Sequence, residues 1–170
     1  MADLEPVVIA VELGGSEGAR LRWAPRPADD ANGAAPPSPW ELEAAPDWDR
    51  LESLRLVSAL FEDGGALGAA ALRPRDARGH DEDAVVARLV DAEGEQAAIS
   101  EALVSVEYDA DDAPRRLGLE LWMDSDSSPR RVAADRAGEP GRAGDRESVP
   151  MRFRLGGVEG AGLYEILRPA

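Results

Sequence analysis

Residues 149–155 read VPMRFRL, and a glycine-rich stretch, GGVEGAG, follows at 156–162. Within the first run one residue in two is apolar, so valine, methionine, phenylalanine and leucine alternate with proline, arginine and arginine. A period of two is typical of a β-strand that rests one face on a core. Glycine supplies the positive φ that a tight turn needs. The stretch therefore predicts a strand followed by a hairpin loop at 156–162.

The same alternation recurs along most of the chain, at 7–13, 54–60, 102–108 and 117–123. Asp- and Gly-rich segments typical of turns separate these runs, at 62–65, 91–94, 109–112 and 124–128. Parallel strands would need helical crossovers, and no such pattern is seen. We therefore predict an all-β fold with little helix, an antiparallel meander that forms a lipocalin-like barrel or a β-sandwich.

The domain organisation predicted is one globular unit in three parts. Residues 1–24 form an N-terminal β-hairpin, 25–49 a Pro-rich connection anchored by Trp40 and Trp48, and 50–170 the main barrel or sandwich. A second segment, 133–147, is polar and glycine-rich, and we expect it to be loose.

The amino-acid composition restricts the classes of function that this chain can have. The 170 residues carry a net charge of −15 and include no cysteine, lysine or threonine, so every basic side chain is an arginine. A Schiff-base lysine and a reactive thiol are both excluded. The negative charge disfavours nucleic acid and anionic membranes as partners. The acidic N-terminus is unlike a secretory signal, and we expect a cytoplasmic protein.

The sequence contains no recognisable metal, cofactor or catalytic motif. Asp124, Ser125 and Asp126 begin an alternation of oxygen ligands, but Pro129 and Asp135 stand where an EF-hand requires glycine and glutamate. With one histidine and no thiolate, a zinc site would have to rely on carboxylate ligands. The glycine-rich loop lacks the lysine of a phosphate-binding motif. We predict no metal, no cofactor and no catalytic residue.

One loop is a candidate ligand site. Arg73, Arg75 and Arg78 lie within six residues of one another and precede His80, the only histidine. Arginine forks hold carboxylates or phosphates, and a histidine beside them could carry a proton. The alternative is a solvated loop in which these arginines pair with the acidic residues 81–83.

Polar residues on the faces opposite the aliphatic ones form a second candidate. In a small barrel or sandwich we expect these side chains to point to water and to pair across neighbouring strands. In a wide barrel they would line a polar cavity, with Trp122 as a wall. The set comprises Arg55, Arg88, Glu107, Glu120, Trp122, Arg152, Arg154 and Glu165.

From about Leu51 onward, consecutive hairpins lead to the closing run 151–165, MRFRLGGVEGAGLYE, a strand, a Gly-rich turn and a final strand. This part resembles the second barrel of the lipocalin-like proteins related to hydroxyneurosporene synthase and the AttH group. Members of that group typically have two barrels and longer chains. The resemblance implies binding of a hydrophobic small molecule and assigns no catalytic residue.

The leading hypothesis is thus a non-catalytic β-domain that binds a small, apolar molecule. The alternative is an acidic interaction module whose partner is a basic protein. A third hypothesis, an enzyme centred on His80 and its arginines, ranks below both because so few catalytic motifs are present.

Overall fold

The structure is a computed structural model that describes residues 8–12, 20–24, 40–42, 48–79, 82–97, 99–124, 127–144 and 146–168. Side chains are described from residue 49 onward, except that of Ala143. The Pro-rich stretch 25–39, the indoles of Trp40 and Trp48, and His80 lie outside this description.

One antiparallel sheet forms the main body. Its strands are β4 (Leu51–Phe61), β5 (Ala66–Pro74), β6 (Ala84–Val90), β7 (Ile99–Tyr108), β8 (Pro114–Met123), β9 (Arg130–Arg136), β10 (Gly141–Ala143), β11 (Arg146–Leu155) and β12 (Val158–Leu167). Their order is β6-β5-β4-β12-β11-β9-β8-β7, and β10 pairs with β11 beside that path. Helix among the described residues is limited to a short 3-10 turn, Trp48–Arg50, and to Glu82, which is also in 3-10 conformation. The predicted all-β fold with little helix is confirmed.

The sheet curls into a nearly closed barrel. Its edge strands, β6 and β7, lie close together. The described residues that join them are at one end only, where Val90 bridges Gln96 and the Ala97 N–H donates to the Leu89 carbonyl at 2.9 Å. A ring of eight strands has an interior just wide enough for side chains to fill. The barrel therefore keeps one seam, between β6 and β7.

Apolar side chains fill the interior. Tyr164, Phe153 and Met151 are 0%, 0% and 1% exposed, and Leu117, Leu119 and Leu121 rise beside them from β8. Burying a side chain of this size contributes about 1.5–3 kcal/mol. A packed core therefore separates the two ends of the barrel.

Two glycines form the turn of the β11–β12 hairpin. Gly156 and Gly157 have φ of 57° and 81°, and Leu155 pairs with Val158 across them. Positive φ at both positions is what a two-residue hairpin loop requires. The predicted loop was too long, because the later glycines belong to β12. A Cβ at Gly162 would lie 1.8 Å from the Ser58 carbonyl oxygen, so glycine lets β12 approach β4.

A second apolar cluster lies on the outer face of β4 and β5. Its members include Leu54, Leu56, Ala70 and Leu72, all at most 8% exposed. A three-stranded antiparallel sheet, β1 (Val8–Glu12), β2 (Arg20–Ala24) and β3 (Trp40–Leu42), contacts β4 through β1 and β6 through β3. β4 and β5 are therefore buried on both faces, as in sheets covered on two sides.

Two expectations about polar segments need correction. The segment 133–147 is not loose throughout, since β9 extends to Arg136, β10 follows, and β11 begins at Arg146. Val132 and Ala134 are 2% and 0% exposed, so two apolar residues at period two suffice to hold β9 on the core. Arg136 is fixed as well, by a 2.8 Å ion pair with Asp109.

The polar residues opposite the aliphatic faces do not all point to water. On the outer surface, Arg154 and Arg116 both pair with Asp135, at 3.0 and 3.1 Å, as expected for exposed cross-strand pairs. Arg55 and Glu165, in contrast, are 6% and 4% exposed. β4 and β12 carry buried residues on both faces, so alternation in these strands does not reveal which face meets solvent.

Candidate functional site

The arginine loop divides between the barrel and the solvent. Arg73, at the end of β5, forms ion pairs with Glu52 at 2.8 Å and with Asp83 at 3.3 Å. Arg75 and Arg78 are exposed, and the hydrogen bonds described for them use their backbone N–H groups, which donate to the Arg50 carbonyl and the Glu82 carboxylate. Of the three arginines, only Arg73 reaches into a polar cluster.

Trp122 occupies a different part of the molecule. It lies half-buried on β8, between the core residues Leu121 and Met123, so its indole projects from the opposite, outer face. Its carbonyl accepts a hydrogen bond from the Ser100 hydroxyl at 3.0 Å. β8 and β5 are not neighbours in the sheet. Trp122 and Arg73 therefore belong to separate surfaces.

A buried polar cluster, comprising Arg55, Arg73, Asp83 and Tyr164, lies at the end of the barrel where β4 begins. Arg55 and Arg73 share the inward parity of Val57 and Ala69 on β4 and β5. Asp83 precedes β6, and its side chain is 1% exposed. It accepts from Arg55 Nη2 at 2.5 Å and from Arg73 Nη1 at 3.3 Å. One carboxylate thus holds two guanidinium groups.

Arg55 Nε has no acceptor among the described residues. The Tyr164 hydroxyl makes no close hydrogen bond there, but it interacts with the side chains of Tyr108 and Arg55. Burial is the main cause that raises the pKa of Tyr164 above its ordinary value, Tyr108 raises it further, and the nearby Arg55 lowers it. Tyr164 therefore stays protonated at neutral pH and acts as a hydrogen-bond donor. Tyr108, 48% exposed at the end of β7, stands beside it toward solvent.

The sequence did not single out this cluster. Arg55 was assigned to the outer face, and neither Asp83 nor Tyr164 was given a role of its own. A usable signal exists in LRLVSALF, residues 54–61, where one arginine interrupts an otherwise apolar and small run. A lone charge in a strand buried on both faces must find a partner, because an unpaired buried charge is very costly.

A cleft opens at the opposite end of the barrel, where β4, β6 and β11 end. This mouth cleft has a volume of about 330 Å³. Its apolar lining comprises Phe61, Leu89, Val90, Ala97, Leu155 and Val158, and its polar lining Asp63, Asp91, Glu95, Gln96 and Arg130.

Hydrogen bonds within the rim of the mouth cleft hold its shape. Asp63 Oδ1 accepts from the Gly65 N–H at 2.8 Å, and Asp91 Oδ1 accepts from the Glu93 and Glu95 N–H groups at 3.0 and 2.9 Å. Side chains that bind their own loops in this way fix the turn conformation. These hydrogen bonds therefore stabilise the loops that border the mouth cleft.

Glu165, on the outer face of β12, is also buried. The Ser148 hydroxyl donates to Oε1 at 3.1 Å, and Arg146 lies 3.4 Å from the same oxygen, whereas Oε2 has no partner among the described residues. Burial raises the pKa of Glu165, and Arg146 and Ser148 only partly oppose it.

Within the described parts of the chain, no three His, Cys, Asp or Glu side chains come together as a metal site would require. The helix described there is too short and too polar to cross a bilayer.

No protein-family model and no curated protein matches this sequence. Solved structures do match. One is a putative AttH of Nitrosomonas europaea, at 15% identity and a TM-score of 0.55, over 98% of this chain and 60% of the other. Another is kievitone hydratase of Nectria haematococca, at 12% identity and a TM-score of 0.48, over 89% of this chain and 51% of that one. The chain thus spans about three fifths of the first structure, and shares with it a lipocalin-like barrel fold.

Proposed function

We propose that this chain is a non-catalytic barrel that binds a small, mainly apolar molecule in the mouth cleft. The observation that carries the proposal is the cleft of about 330 Å³ at the end of a filled barrel. Ligand sites of proteins begin at about 300 Å³, and barrel mouths are among their preferred places. The cleft suits one small ligand.

The residues that line the mouth cleft indicate which kind of ligand it would bind. Phe61, Leu89 and Val158 offer an apolar wall, while Gln96 and Arg130 offer polar groups for orientation. The carboxylates of Asp63, Asp91 and Glu95 outnumber the one arginine among the lining residues. Such a rim repels anions. We therefore expect a neutral or cationic molecule with an apolar body.

The choice of binding over catalysis follows from the functional groups at hand. The ionisable side chains that line the mouth cleft are carboxylates and one arginine. The described lining holds no histidine, and the chain carries no lysine or cysteine.

A fluorescence titration with the neutral apolar dye Nile red tests the proposal. We expect saturable binding to the unmodified protein, and a loss of at least about tenfold in affinity in Val158→Trp, because the indole fills the cleft. Leu103→Trp is the matched control, since it adds the same ring at an exposed position on β7. Equal binding by both variants, or no saturable binding at all, would count against the cleft.

An acidic interaction module is the second candidate. The seam between β6 and β7 supports an interaction role, because both strands present edge backbone groups there. A groove of about 210 Å³ lies between Val85–Arg88 and Ile99–Ala102. A basic partner would bind a chain of net charge −15 less tightly as salt rises. Capture of such a partner from a lysate with no salt dependence would argue against this role.

A further inference from the structure

The large apolar side chains that are exposed among the described residues both belong to β7. Leu103 and Tyr108 are 45% and 48% exposed. Between them, Val104 and Val106 share the inward parity of the core residue Ala102, yet both are only half-buried. On the neighbouring strand β8, by contrast, the inward side chains are buried. The second half of β7 therefore lacks a cover that the rest of the barrel has.

The cover is missing because β6 is shorter than β7. The bridge between Val90 and Gln96 sets the two strands antiparallel, so Ala84, where β6 begins, lies about level with Ala102. The groove along the seam accordingly reaches Ala102 and no further along β7. Beyond that point, β7 pairs among the described residues with β8 alone. Leu103–Tyr108 is therefore a strand edge without a neighbour on one side, here called the open edge.

Little in the sequence of the open edge protects it against a further strand. Proteins blunt exposed edges with proline, with charged side chains or with bulges. Residues 103–108 read LVSVEY, which has high strand propensity, no proline and one charge, Glu107. That charge pairs with Arg115 of β8 at 3.1 Å. The register with β8 is regular from Leu103 to Glu107, so the open edge is an uninterrupted strand to which an extended segment can hydrogen-bond.

The charges at the two ends of the open edge favour a basic partner. Glu101 precedes it, and Asp111 and Asp112 lie in the turn that follows it. All three are exposed, and none has an ion pair among the described residues. The net charge of −15 repels a second copy of the chain and attracts a basic segment. An edge this short also buries far less than the roughly 800 Å² per partner of a stable protein dimer.

We propose that the open edge takes an extended basic segment of a partner protein as an added strand. Main-chain hydrogen bonds supply the affinity, as they do wherever a peptide adds to the edge of a sheet. Leu103 on the outer face, and Val104 and Val106 on the inner face, contact alternate side chains of the segment. The proposal rests on the second candidate function, the interaction module, and is independent of ligand binding in the mouth cleft.

Titration with a synthetic peptide of alternating lysine and valine tests the proposal, with NMR of the ¹⁵N-labelled protein as the readout. We expect saturable binding, the largest amide shifts in residues 103–108, and slower hydrogen exchange of alternate amides there. The same peptide with methyl groups on all its backbone nitrogens keeps its charge and side chains but has no N–H to donate. We expect the methylated peptide to bind at least about tenfold more weakly. Equal binding of the two peptides would overturn the proposal.

A pair of variants separates the open edge from general attraction between opposite charges. Leu103→Lys places a cation on the open edge and should weaken binding of the lysine–valine peptide at least about tenfold. Ala133→Lys is the matched control, because it adds the same charge at an exposed position of β9, a strand that pairs on both sides. Equal losses in the two variants would mean that only net charge matters, which contradicts the proposal.

Three further results would reject the open edge and differ in what they leave standing. Amide shifts confined to residues 91–97 would put the peptide on the acidic rim of the mouth cleft, so an interaction module would remain without this edge. A dimer of the unmodified protein in analytical ultracentrifugation that Leu103→Lys dissociates would make a second copy the occupant. No binding of the peptide, with Nile red still bound, would remove the open edge and keep the cleft.

Discussion

Position 162 shows how tightly one residue can be constrained inside β12. A Cβ there would meet the Ser58 carbonyl oxygen at 1.8 Å and the Ala59 Cα at 2.8 Å, and both belong to the backbone of β4. Gly162→Ala should therefore force the two strands apart and lower the free energy of unfolding by about 1–3 kcal/mol. Urea unfolding measures the loss.

Gly141→Ala is the matched control for that prediction. A Cβ at Gly141 makes only an ordinary contact, 4.0 Å from the Ser148 carbonyl oxygen. We expect a change within about 0.5 kcal/mol. Equal effects at the two positions would mean that β12 does not approach β4 as closely as described.

Glu165 makes the stability of the fold depend on pH. Because burial raises the pKa of its carboxyl in the folded state, the folded chain holds this proton more tightly than the unfolded chain does. The Glu165 contribution to stability is therefore present at low pH and is lost as pH rises from the unfolded pKa, about 4.3, through the folded one. Unfolding free energies measured from pH 4 to pH 8 should show Glu165→Gln gaining relative to the unmodified protein as pH rises.

The control for this pH series is Glu101→Gln, at an exposed position on β7. Its difference from the unmodified protein should stay nearly constant across the same range. If the Glu165→Gln difference is equally flat, the carboxyl of Glu165 is not held in a desolvated place.

At the scale of elements, the seam between β6 and β7 predicts uneven protection of backbone amides. The central strands β4, β12 and β11 pair on both sides, whereas β6 and β7 each pair on one side along most of their length. Unpaired amides at an edge exchange quickly with solvent. Hydrogen exchange followed by NMR should find alternate amides of β6 and β7 fast, and those of β12 slow throughout. Uniform protection across β6 would instead mean a closed ladder.

The outer apolar cluster gives a second prediction about elements. Leu56 is fully buried on the outer face of β4, the strand that β1 contacts. Leu56→Ala should cost about 2–5 kcal/mol of unfolding free energy, as a core position does. Leu103→Ala, at a residue 45% exposed, should cost far less. Similar small costs at both would show that β1–β3 do not cover β4.

Sequence alone predicted the strands whose two faces differ. β7, β8 and β11 alternate clearly, and their turns carry Asp or Gly, so these strands and the all-β class were confirmed. β5 was not predicted from the sequence, because ALGAAALRP has small apolar residues on both faces and no alternation. β9 was not predicted either, because Val132 and Ala134 are the only buried apolar residues on its inner face. In both cases tertiary cover, absent from the local pattern, decides the structure.

The candidate sites depend on closure of the whole barrel. Phe61, Leu89 and Val158 lie far apart in sequence and meet only because β4, β6 and β12 end at one mouth. Likewise Arg55 and Asp83 meet through the curl of the sheet. Residue spacing along the chain cannot report such meetings. The arginine loop was visible to sequence reasoning because its residues are consecutive, yet only Arg73 reaches the interior cluster.

The two ends of the molecule thus differ in chemistry, with a filled core between them. The mouth cleft offers an apolar wall and an acidic rim, whereas the buried polar cluster pairs its arginines with Asp83 and Glu52.

Native mass spectrometry of the gently purified protein tests the central claim, that the mouth cleft holds a small molecule. The account predicts a fraction of the unmodified protein at a mass above that of the chain, by one small molecule. It predicts the same for Leu103→Trp, and the chain mass alone for Val158→Trp. The bare chain mass in all three preparations, or the same bound molecule in all three, would contradict it.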